Sequence, residues 1–194
     1  MSMFPIKENL RYLVFSSALF ILGFSVGMGA GLTGAVGTAE NTILDELEPL
    51  FQFYQPFAPL TVVFLFLKNL LTASIAYLFS PIIIFPAAVL LLNGYVLGLV
   101  GTVVSTEVSL ESSLAALVPH GIFEIPALII AAAAGFRLGF SFLKKVWCIL
   151  NHRNHSVSFD FVRSLRLFLL STILLFIAAI METYVTPLVM GVTP

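Results

Sequence analysis

Polar side chains are sparse along this chain and stand as punctuation between long apolar runs. The first run covers about residues 10–36 and follows Lys7 and Arg11. It exceeds the 7–15 apolar residues of a signal peptide, so it is expected to be a retained membrane span. The stretch from Phe57 to Val104 is nearly unbroken and long enough for two spans. Proline marks a boundary, which puts the turn at Ser80-Pro81 and the spans at 57–79 and 82–104. A fourth run covers 114–143 and a fifth 165–185. Each matches the roughly 20 residues that cross hydrocarbon as a helix, and the short alternating segments of a barrel do not occur. The pattern predicts an all-α polytopic membrane protein. Residues 1–194 form a single integral membrane domain with five transmembrane helices.

The segments between the runs differ in sign. Residues 38–55 carry Glu40, Asp45, Glu46 and Glu48 without Lys or Arg, with Phe51, Phe53 and Tyr54 fitting a short surface helix near the interface. Residues 105–113 carry Glu107 and Glu111. Lys144, Lys145, Arg153, Arg163 and Arg166 gather between the fourth and fifth runs, with Lys7 and Arg11 in the N-terminal tail. Five crossings put all the basic segments on one side and both acidic loops on the other. The excess of Lys and Arg orients that side inward, so the N-terminus is expected in the cytoplasm and the C-terminus outside the cell membrane. Composition agrees: 59% of the residues are hydrophobic and 10% charged, and mean hydropathy is +1.07. A net charge of −1 offers nothing to nucleic acid. The single cysteine, Cys148, excludes an internal disulfide.

Chemistry concentrates in Pro119-His120-Gly121-Ile122-Phe123-Glu124-Ile125-Pro126. Two prolines delete two backbone donors, and a Glu in hydrocarbon is a functional-site hypothesis by default. The fourth helix is expected to be broken or kinked at Pro119-His120-Gly121. At 1.5 Å per residue, Lys68 lies about 16 Å deep, and His120 and Glu124 about 9–15 Å below the outer surface. Asn93 shares the depth of Lys68, and Glu182 is less than about 8 Å from the outer end of span five. Lys68, Asn69, Asn93, His120, Glu124 and Glu182 thus form a candidate intramembrane polar cluster, in which a Lys68–Glu124 contact is expected. Arg137, alone in the inner half, is expected to snorkel to the headgroups. Gly23, Gly27 and Gly31, Gly94 and Gly98, and Gly135 and Gly139 recur at spacing four. Such rows let backbones approach closely, and they suggest a homo-oligomer such as a dimer.

Asn69, Asn93-Gly94, the Pro119-His120-Gly121 motif with Glu124 and Pro126, and Glu182 ahead of the closing Thr-Pro resemble the stage II sporulation protein M family. Order and spacing agree from about span two to the end. The resemblance implies a five-span integral membrane protein. Its named member is a scaffold that anchors peptidoglycan-degrading enzymes during forespore engulfment. Many relatives occur in cells that do not sporulate, so the sporulation role is not carried over. Family members often have Asn where this chain has Lys68.

The expected function is therefore a non-enzymatic membrane scaffold or membrane-complex subunit, in contact with the bilayer and with other membrane or cell-envelope proteins. The alternative is a small transporter or permease-like component that uses the Glu/His/Lys site. A hydrolytic metal centre would need three protein ligands and a water. His120, Glu124 and Glu182 supply only that minimum, without a His-Glu-x-x-His signature. No cofactor is expected.

Overall fold

The structure is a computed structural model that describes residues 6–33, 55–107, 110–153, 156–189 and 191; the side chains of 6–8, 103, 104, 106, 107 and 110–120 lie outside the description. Helix α1 spans Ile6–Thr33, α2 Pro59–Leu78, α3 Ile84–Glu107, α4 Leu110–Leu150 and α5 Ser158–Ile180. A π-helical turn, Met181–Val185, and a short α6, Thr186–Val189, complete α5. The described residues contain no strand. Five helices are long and apolar enough to cross a membrane. The acidic segment expected to form a surface helix lies mostly outside the described residues.

Helix α4 is the axis. It touches every other helix and the π turn. Residues 131–139, Ala-Ala-Ala-Ala-Gly-Phe-Arg-Leu-Gly, are buried without exception. A helix buried all round needs partners on every side, and short side chains let them come close. Contact pairs give the directions. Phe15 packs on Phe136, and Tyr12 on Phe140, so α1 and α4 run antiparallel. Phe66 meets Phe176 and Tyr77 meets Phe168, so α2 and α5 are antiparallel as well. The helices alternate up and down, and the α2–α3 turn and the α4–α5 loop lie at the end where α1 begins. This is the basic end.

Helices α1 and α3 are welded by glycine. A Cβ on Gly23 or Gly27 would strike the backbone of Leu91 or Tyr95, and one on Gly94 or Gly98 that of Phe20 or Phe24. One on Gly31 would come within 2.8 Å of Thr102 Cβ. Gly135 accepts α2 at Ala76 in the same way, and Gly139 accepts the turn after it at Ser80. The rows read as free faces for self-association are therefore consumed inside the chain, and the ground for the homo-oligomer falls away.

Several boundaries shift. Helix α4 continues as one helix through Pro119, Gly121 and Pro126, so of the expected break or kink at Pro119-His120-Gly121 the break is absent. Its 41 residues, about 60 Å, outrun the hydrocarbon core. The expected loop at 105–113 is largely helical, because α3 reaches Glu107 and α4 starts at Leu110. Helix α5 starts at Ser158 rather than 165 and takes Arg163 and Arg166 out of the loop. Asp160 in its first turn complements the N-terminal end of the helix dipole.

Candidate functional site

The expected polar cluster is only partly assembled. Asn69 is buried, and its Nδ2 makes no hydrogen bond among the described residues. Glu124 is buried too. Asn69 and Glu124 stand about a turn from Ala73 and Ala127, which share one core cluster, so they occupy the same level of α2 and α4. Asn93 is half-buried, and its Nδ2 donates to Val89 O of its own helix at 2.7 Å. Gly94 is buried under α1, while Gly121 is half-buried and Pro126 exposed. Glu182 is half-buried in the π turn, which packs on α2 and α4. The His120 side chain, and that of Pro119, lie outside the described residues.

Lys68 points the other way. Its side chain is exposed and forms no ion pair among the described residues, so the Lys68–Glu124 contact is not made. Helical geometry explains it. Buried positions of α2 are Thr61, Leu65, Asn69, Ala73 and Ala76, a three-to-four spacing that turns Asn69 inward. Lys68, next in line, shares the outward stripe with Leu67 and Leu71.

A proline follows the π turn. Pro187 has no N–H to offer Thr183 O, its partner one α-turn earlier. Phe57 N–H donates to that oxygen at 3.1 Å instead. Phe57 adopts φ 63°, a left-handed conformation that costs a side-chain-bearing residue about 1–2 kcal/mol. Thr61 Oγ1 braces the same approach by donating to Gln55 O at 2.8 Å. The lost proline donor thus ties the start of α2 to the end of α5.

A second polar site lies at the basic end. Arg137 is 6% exposed and Asn9 fully buried. The guanidinium donates to Asp160 Oδ1 from Nη2 at 2.8 Å and from Nε at 3.1 Å, and from Nη1 to Asn9 Oδ1. Ser141 Oγ donates to Asp160 Oδ2 at 3.0 Å. The network pins α1, α4 and α5 together. Arg137 therefore does not snorkel; a buried guanidinium requires an acid, and α5 supplies one. Sequence reasoning missed Asp160 and Asn9. The signal was available: Asp160 is the sole acid between Glu124 and Glu182, on a run crossing the basic loop.

Among the described residues, no group of three or more His, Cys, Asp and Glu is placed to hold a metal. Ser171 Oγ donates to Ala127 O at 2.7 Å, and Tyr77 and Ser164 hydroxyls lie 3.1 Å apart. These interhelical bonds fix α5 against α4 and α2.

Five crossing-length helices around a buried axis, with a charged network satisfied inside the bundle, define a multi-pass α-helical membrane protein. The sequence profile named Stage II sporulation protein M matches residues 13–187, and the chain belongs to that family. An uncharacterized protein of Methanocaldococcus jannaschii is 30% identical over 180 residues, covering 90% of this chain and 93% of its own. A second uncharacterized protein of that organism is 33% identical over 103 residues, covering 53% of this chain and 46% of its own. No solved structure matches.

Proposed function

We propose that this protein is a non-enzymatic scaffold or subunit of a membrane complex, seated in the cell membrane with its basic end in the cytoplasm. The observation that carries this reading is Lys68. It is the tenth residue of the 20-residue α2, about 15 Å from either end, and it faces away from the bundle. An ammonium exposed to hydrocarbon at that depth costs at least about 2.5–3.5 kcal/mol. A carboxylate on a neighbouring transmembrane helix offsets part of that cost, so the face formed by Lys68, Leu67 and Leu71 suits an acid-bearing membrane partner. The glycine-locked bundle supports the same reading. Alternating access requires one part of a carrier to rock against another, and backbone-to-backbone packing resists it.

The test is a photo-crosslinker at Leu71 in native membranes. One discrete adduct with an integral membrane protein is expected, and Lys68→Leu should reduce it about tenfold. An adduct unchanged by Lys68→Leu would count against the proposal. The transporter reading draws on buried Glu124 and predicts solute flux in proteoliposomes that Glu124→Gln abolishes. Such flux would displace the scaffold reading.

A further inference from the structure

A cavity of about 520 Å³ opens at the basic end, between α1, α4 and the start of α5. Two cations, Arg11 and Lys144, stand on its walls. Neither forms an ion pair among the described residues. Arg11 is held in place: its Nη2 donates to the Tyr12 hydroxyl at 2.6 Å, and its guanidinium lies 4.6 Å from the centre of that ring. The floor is Ser141 and Asp160. Arg137 donates to one oxygen of Asp160 and Ser141 to the other, and the guanidinium offsets the charge of that carboxylate. Among the described residues, Arg11, Lys144 and Arg137 against Asp160 leave the site positive.

The remaining lining is aromatic: Tyr12, Phe15 and Phe140. Phe140 stacks on Phe136, and Phe15 meets the edge of Phe136 with centroids 4.9 Å apart. Val14, Phe15 and Phe140 are 59%, 44% and 41% exposed on the outer face of the bundle. The cavity therefore continues sideways into the apolar surface that faces the bilayer. A free phosphate would use only the cations. An amphiphile uses both halves.

We propose that this cavity binds the phosphate headgroup of an anionic phospholipid, with an acyl chain along Phe15 and Phe140. Arg11 and Lys144 contact the phosphate oxygens. Ser141 borders the headgroup, and Tyr12 orients Arg11. Basic pockets between transmembrane helices recognise such headgroups through charge and hydrogen bonding combined. The site is independent of the partner face on α2, and either can fail without the other.

Native mass spectrometry of the full chain in mild detergent tests it, with phosphatidylglycerol and phosphatidylcholine as probes. Phosphatidylglycerol should remain bound where phosphatidylcholine does not. The double variant Arg11→Gln/Lys144→Gln should weaken retention about 10- to 30-fold, as expected for the loss of two interfacial cations. Lys145→Gln/Arg166→Gln removes two exposed cations from the same end but none from the cavity, and it should retain the lipid. Both pairs must elute as monodisperse protein with unchanged helicity. Equal losses in the two pairs would overturn the proposal, because they would signify diffuse attraction. Equal binding of both lipids would overturn it too. Displacement by inorganic phosphate at millimolar concentration would assign the site to free phosphate instead.

Discussion

Arg137 shows how much one partner decides at the residue scale. A guanidinium this far inside an apolar bundle is tolerable only because Asp160 and Asn9 accept its hydrogen bonds. The two ends of the pair are not equivalent. Asp160 is 26% exposed and Arg137 is 7% by side chain. Breaking a buried pair costs about 3–5 kcal/mol when the survivor stays buried. Asp160→Ala strands Arg137 and is expected to cost about 3 kcal/mol. Arg137→Leu leaves a carboxylate able to reach water and adds an apolar fit, so it should cost about 1 kcal/mol, towards the range of solvent-screened pairs. Equilibrium unfolding in detergent micelles checks the order; equal costs would mean that Asp160 is as dry as Arg137.

At the scale of elements, backbone proximity holds the helices in place. Gly27 meets Tyr95 backbone, whereas Gly29 has open space around its missing Cβ. Gly27→Ala should force α1 from α3 at about 1–3 kcal/mol, the usual cost of overpacking. Gly29→Ala should be neutral or stabilising by up to about 1 kcal/mol, since alanine is the better helix former. Melting temperatures in one detergent distinguish the two; the same change in both would refute close packing. The π turn permits a comparable test. Pro187→Ala restores an N–H that competes for Thr183 O with the Phe57 N–H. Amide hydrogen exchange at Phe57 should accelerate, while exchange in the middle of α4 stays slow.

For the whole molecule, the alternation of helices puts the start of α1 and the α4–α5 loop together. Gln55, ahead of α2, lies at the other end and is exposed. With the basic end cytoplasmic, a membrane-impermeant maleimide applied to intact cells should modify Gln55→Cys in a Cys148→Ser background. Native Cys148 should react only after the membrane is opened or inverted. The reverse pattern would turn the molecule over without disturbing the fold.

The lengths of the apolar runs determined the class, the five crossing-length helices and the turn at Ser80-Pro81, because hydrocarbon thickness and the missing proline donor act locally. The glycine spacing announced close packing, and charge placement marked the basic end. Tertiary structure alone decided the pairings. Two neighbouring residues, Lys68 and Asn69, were one polar pair in the sequence, yet 100° of helical rotation sends one outward and the other in. Asp160 lies between the expected fourth and fifth runs, and only the earlier start of α5 brings it to Arg137. Glycine rows look the same whether their partner is another copy or another helix of the same chain; only the docking of α1 on α3 and α2 on α4 resolves that. Burial is a property of the neighbours a helix acquires, and a one-dimensional pattern does not name them.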